Sequence, residues 1–250
     1  MLGILATPFT SSAAIKTEVV QYKHGDATLE GFLAYDDSIK QAPGILVVHE
    51  WMGLGDYVKD RAKQFAKMGY VAFAADLYGK GVRPKDQKEA GEFAGKYKAN
   101  RPLLRARTQA GLDTLKKNSH VNPNKLIALG YCFGGTAALE LARSGAPLMA
   151  TVTFHGGLDT PTPQDAKNIK GRVLVLAGGS DPYVPAEQVA AFQDEMKKAN
   201  VDWQMNQYGG AVHSFTVPTA GNDPSKGAAY NAVADRRSFE DFKVFLSELK

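Results

Sequence analysis

The chain has one cysteine, Cys132, among 250 residues. An internal disulfide is therefore impossible, and so is a cysteine-rich zinc or iron–sulfur site. No apolar run approaches the ~18 residues of a membrane span, so no membrane partner is expected. There is no phosphate loop of the Gly-x-x-x-x-Gly-Lys type and no His/Asp/Glu pair at ligand spacing on one helix face. Neither a metal nor a cofactor is expected. Internal repeats and low-complexity linkers are absent too, which leaves a single folded unit over residues 17–250 behind an N-terminal extension over residues 1–16.

What is present describes an ordinary globular protein, 44% hydrophobic, 22% charged and 10% aromatic. The net charge of +4 is unevenly placed. Residues 79–108 carry nine bases against three acids, a local +6 that leaves −2 for the remainder. Only Phe93 and Tyr97 interleave those bases, so the segment reads as a solvated amphipathic stretch, and no nucleic-acid partner is expected. Two readings of the N-terminus stand. Apolar Leu2–Ala6 followed by small Ser11–Ala14 matches the tail of a secretory signal, but its basic start is missing. Both a periplasmic and a cytoplasmic location follow from these readings.

The chain alternates strand-like and helix-like segments. Thr17–Tyr22 and Thr28–Tyr35 predict an opening antiparallel hairpin around Gly25-Asp26. Short apolar runs at Gly44–Val48, Tyr70–Ala75, Lys125–Gly130, Ala150–Phe154 and Arg172–Ala177 predict strands buried on both faces, with a last strand at Asp202–Tyr208. Helices are expected at Tyr57–Met68, Asp86–Ala99, Leu103–Lys117 (after an Arg101-Pro102 break), Gly134–Arg143, Ala186–Ala199 and Asp235–Leu249. This order implies an α/β fold with a mostly parallel sheet covered on both faces, whose site lies beyond the carboxyl ends of the strands.

At one such end stands Gly130-Tyr131-Cys132-Phe133-Gly134-Gly135, a nucleophile elbow with cysteine in the serine position. The tight strand-to-helix turn lifts the nucleophile clear of the sheet and excludes side chains at Gly130 and Gly134. The helix N-terminus beneath the sulfur favours thiolate. A nucleophile, acid, base order along the chain then selects Asp181, in Gly178-Gly179-Ser180-Asp181-Pro182, and His213, in His213-Ser214-Phe215. His24, His49, His120 and His155 are read as ordinary hydrogen-bonded histidines. Asp76 and Asp159 also follow strands, and Asp76 suits a supporting role.

Together with His49-Glu50-Trp51 and Asp76-Leu77-Tyr78, these motifs resemble the dienelactone hydrolases, the cysteine-nucleophile branch of the α/β-hydrolases, from about Thr17 to the C-terminus. The resemblance implies an α/β-hydrolase fold and a Cys132-His213-Asp181 triad. It further implies that Glu50 hydrogen-bonds the resting thiol and that the backbone N–H groups of Trp51 and Phe133 form the oxyanion hole. The N–H after the nucleophile is also the donor any such elbow supplies. Tyr78, Tyr131, Tyr183 and Phe215 are expected to line the substrate pocket. One departure stands out: the founding enzyme grips its substrate carboxylate with arginines, and the position of one of them holds Val217 here.

Three readings follow. The first is a hydrolase of short-chain esters or lactones, acting as a monomer or homodimer on a small-molecule substrate. The second is a true dienelactone hydrolase whose anion clamp comes from residues 79–108. The third is a non-catalytic binding or redox-sensing module that uses Cys132 as an oxidisable thiol.

Overall fold

The computed structural model describes residues 14–249. The expected N-terminal signal remnant lies largely outside them. Eight strands, β1 (Ile15–His24), β2 (Ala27–Asp36), β3 (Ala42–Val48), β4 (Val71–Ala75), β5 (Val121–Tyr131), β6 (Ala150–Phe154), β7 (Arg172–Gly178) and β8 (Trp203–Tyr208), form one sheet in the order β1-β2-β4-β3-β5-β6-β7-β8. The β1–β2 and β2–β4 pairs are antiparallel, and all the others are parallel. This is the α/β-hydrolase arrangement, and the opening hairpin is present.

Side-chain alternation along each strand divides the core in two. Ile45 and Val47 of β3, with Leu174 and Leu176 of β7, face helices α1 (Asp56–Lys67) and α6 (Ala232–Ser247), which contribute Phe65, Phe242 and Phe245. On the other face Leu46 and Val48 meet α3 (Arg101–Lys116) and α4 (Phe133–Arg143), while Val173 and Val175 meet α5 (Ala186–Lys198). Helix α2 (Gln87–Ala99) lies outside α3 and sends Tyr97 inward.

The Arg101-Pro102 break expected from the sequence is instead the start of α3. Asn100 Oδ1 accepts the Leu103 N–H at 3.1 Å, and Pro102 occupies the first turn, where its missing N–H needs no partner. The arginines of that segment turn inward as well. Arg105 donates to Glu140 (2.8 Å) and Asp165 (2.7 Å), and Arg101 pairs with Asp159 at 2.7 Å.

Glu140 belongs to a buried network that fastens α4. Arg143, fully buried, donates from Nε and Nη2 to the two carboxylate oxygens of Glu195 on α5, both at 2.8 Å. It also donates to Glu140 at 3.2 Å and to the Leu158 carbonyl at 2.9 Å. Removing one partner of such a set strands a buried charge, so Arg143→Met is expected to destabilise the fold by about 3–5 kcal/mol. The paired change Arg143→Met/Glu195→Leu should recover much of that loss. Urea midpoints of the two variants check both expectations.

Candidate active site

The elbow forms as the glycines require. Cys132 closes β5 and caps α4 with φ 54° and ψ −119°, a backbone conformation a non-glycine residue adopts only under strain. A Cβ on Gly130 would stand 1.9 Å from the Gly134 carbonyl oxygen, and one on Gly134 would stand 2.2 Å from the Val48 oxygen. Helix α4 therefore rests directly on the ends of β5 and β3. His155 (φ 42°) and Ser214 (φ 57°) are also strained, so three non-glycine residues with positive φ lie at or beside this site.

Asp181 and His213 come from the turns after β7 and β8 and meet here. His213 Nδ1 donates to Asp181 Oδ2 at 2.8 Å, while Asp181 Oδ1 accepts the Tyr183 N–H at 2.9 Å. The His213 backbone is bridged to the segment before α6, its N–H on the Gly227 carbonyl (3.2 Å) and its carbonyl on the Ala229 N–H (3.0 Å). The Cys132 side chain lies near enough to the imidazole for its charge to act on it. Burial disfavours the imidazolium, but the charge at Cys132 and the hydrogen bond to Asp181 outweigh it and lift the His213 pKa to about 10. The structure thus brings Cys132, His213 and Asp181 together.

Trp51 follows β3 and Phe133 follows β5, two neighbouring parallel strands. The Trp51 N–H has no acceptor among the described residues, and Phe133 opens α4, where no intrahelical acceptor exists. Glu50 follows β3 and is largely withdrawn from solvent. Burial pushes its carboxyl up to about 7, against the pull of the Arg61 charge.

The four expected pocket aromatics divide. Tyr183 stands its ring edge-on to His213, with centroids 5.2 Å apart, and is 58% exposed. Tyr78 is nearly buried, and its hydroxyl donates to the Trp51 carbonyl at 2.9 Å. Tyr131 and Phe215 are fully buried, which corrects their assignment to the pocket. Strand alternation turns Tyr131 away from Cys132 into the α1–α6 core, where it stacks on Phe154. Phe215 packs against His155 and Tyr208.

Behind the imidazole runs a hydrogen-bonded chain that the sequence did not reveal. Arg61 of α1 donates to Asp235 (2.7 Å), the Thr216 carbonyl (3.3 Å) and the Tyr57 hydroxyl (3.2 Å). The Tyr57 hydroxyl meets Thr216 Oγ1 at 2.6 Å, and that oxygen meets His155 Nε2 at 2.7 Å. Burial, then the charges of His213 and Arg61, hold His155 well below the ordinary histidine pKa, hence neutral. The Tyr57/Arg61 spacing of four on a helix was the available signal.

Comparison with known proteins points the same way. The dienelactone hydrolase family model matches residues 29–250. A curated relative, Protein usf of Aquifex pyrophilus, is 30% identical over 203 residues, covering 79% of this chain and 86% of its own length. Two solved structures are each 40% identical and cover 94% of this chain and 99% of their own: m3DLH, with a TM-score of 0.91, and the dienelactone hydrolase-like promiscuous phosphotriesterase P91 from metagenomic libraries, with a TM-score of 0.89.

The raised Glu50 pKa has a stability consequence with a definite sign. An acid whose pKa is higher folded than unfolded binds the extra proton in the native state. Its contribution is complete below about pH 4.5 and is lost as pH rises through about 7. Glu50→Gln should therefore match the wild type near pH 4.5 and exceed it by roughly 1–3 kcal/mol at pH 8. Urea midpoints at the two pH values decide it. Equal midpoints at pH 8 would show that the carboxylate is not buried at a cost.

Proposed function

The chain belongs to the dienelactone hydrolase family, and we propose that it hydrolyses short-chain carboxylic esters or lactones through Cys132, His213 and Asp181. The observation that carries this reading is the His213 imidazole, hydrogen-bonded to the buried Asp181 carboxylate and close to a cysteine on a strained elbow.

His213, oriented by Asp181, takes the Cys132 proton. The thiolate attacks the ester carbonyl, and the oxyanion forms against the N–H groups of Trp51 and Phe133. As the tetrahedral adduct collapses, the C–O bond breaks and the alkoxide takes the His213 proton, leaving a thioester on Cys132. His213 then takes a proton from water, the hydroxide attacks the thioester, and the acid leaves as the thiolate is restored. Asp181 keeps the imidazole oriented through both steps. Glu50, next to this centre and protonated near neutrality, is assigned as the resting partner of the thiol. Tyr183, the exposed aromatic beside His213, is assigned to the rim that meets the substrate.

A true dienelactone hydrolase remains the second reading, supported by family membership. For it Arg101 and Arg105 offer little, since both are paired with acids of this chain, and Arg83 donates to the Leu54 and Val82 carbonyls. The sensor reading has less support, because thiol oxidation needs neither Asp181 nor an oxyanion hole.

The test is a panel of neutral aryl esters, an anionic lactone and, given the name of the P91 relative, an aryl phosphotriester, run on wild type, Cys132→Ala, His213→Ala and Asp181→Asn. Turnover of neutral esters is expected, with losses on the order of 10³-fold or more in Cys132→Ala. Reaction with the lactone alone would favour the second reading. Wild-type turnover in Cys132→Ala would overturn the mechanism.

A further inference from the structure

His49, at the end of β3, has a fixed tautomer. Its Nε2 accepts the Leu77 N–H at 3.2 Å, so in the neutral ring the proton sits on Nδ1, which donates to the Glu50 carbonyl at 2.6 Å. The ring is fully buried, packed edge-on to Tyr78 with centroids 4.8 Å apart and tilted against Phe133 at 6.1 Å. Burial pushes its pKa down to about 4, which agrees with the neutral form that the two hydrogen bonds demand.

The Glu50 carbonyl and the Trp51 N–H belong to one planar trans peptide unit and point in opposite directions. Whatever holds that carbonyl therefore aims that N–H. Two donors converge on the carbonyl, His49 Nδ1 and the Gly53 N–H at 3.1 Å. The next peptide is held as well, because the Tyr78 hydroxyl donates to the Trp51 carbonyl at 2.9 Å. Trp51 is thus pinned on both sides by residues from β3 and from the turn after β4, while its own N–H has no acceptor among the described residues.

We propose that His49 and Tyr78 are positioning residues that aim the Trp51 N–H at the oxyanion formed on Cys132, with His49 acting through its Nδ1–H tautomer. This extends the ester-hydrolase reading, whose oxyanion hole it takes as given. Both act through the Trp51 peptide, and Tyr78 also lies near enough to Cys132 to feel its charge, so an effect on the sulfur is measured apart from one on the oxyanion. Their effect is confined to steps that place negative charge on a carbonyl oxygen, and this sets them apart from residues that merely support the fold.

Two reactions of the same sulfur separate these possibilities. An aryl trifluoromethyl ketone adds the Cys132 thiolate to its carbonyl and leaves an oxyanion in the hole. Iodoacetamide alkylates the same sulfur by displacement of iodide and forms no oxyanion. His49→Leu removes the donor. Tyr78→Phe keeps the ring and its packing, and covers the case in which His49→Leu fails to fold. Both are expected to weaken ketone binding on the order of 10–100-fold while the alkylation rate stays within about twofold of wild type. His49→Asn, which returns an amide N–H near the Nδ1 position, should recover most of the ketone affinity.

Unchanged ketone affinity in Tyr78→Phe and His49→Leu overturns the proposal. So does alkylation that slows in step with ketone binding, because the variants would then have disturbed the thiolate itself. A wild type that forms no ketone adduct overturns it too, since no oxyanion site would exist to aim at. A wild type that binds the ketone but turns over no ester defeats the hydrolase reading and leaves the positioning roles standing.

Discussion

The close approach of α4 to the ends of β3 and β5 is the constraint on which the rest depends. Gly130 and Gly134 allow backbone to lie against backbone, and no other residue fits at either position without moving the helix. That contact does three things at once. It strains Cys132 out of the sheet, it places the first N–H of α4 beside the sulfur, and it brings the turn after β3, with Glu50 and Trp51, alongside. The buried Arg143 network holds the far end of the same helix against α5. Cys132 therefore sits at the start of an element fixed at both ends, which is what a site needing fractions of an ångström requires.

Around this frame the charges are arranged so that most buried groups are neutral or paired. His49 and His155 are held neutral by burial, Asp181 is bonded to His213 and to backbone, and Arg61 faces Asp235. In the proposed mechanism, Cys132 and His213 are left to carry separated charge. In a medium with little water that charge separation is sensitive to its neighbours, so the uncharged state of both buried histidines is part of the chemistry as well as of the packing.

Much of this was legible in the sequence because it depends on local patterns. Buried parallel strands must be short apolar runs, and β6 was bounded by its own sequence to the residue. The elbow announces itself through glycines that the geometry makes unavoidable. The hydrogen-bonded pair of Asp181 and His213 follows from two turns after two strands. The parts that escaped depend on partners distant in the chain. Pro102 reads as a break unless Asn100 is known to cap the helix behind it. Arg101 and Arg105 read as a solvated cluster until Asp159, Glu140 and Asp165 arrive from other elements. Tyr131 adjoins the nucleophile in sequence yet points the opposite way, a consequence of strand alternation that could have been drawn in advance. His49 was assigned no special part, since its tautomer is set by the Leu77 N–H across a sheet pairing that the sequence does not display.

The placement of the three side chains proposed to react also bears on when the site can be assembled. Cys132 lies at the end of a central strand, but its base and acid follow β8 and β7, the last strands to leave the ribosome. The His213 backbone is further tied to residues just ahead of the final helix. A nascent or truncated chain that has formed the elbow still lacks the His213–Asp181 pair that the proposed reaction uses. Under the proposed mechanism the site is thus assembled only with the completed fold, a built-in delay that comes from topology alone.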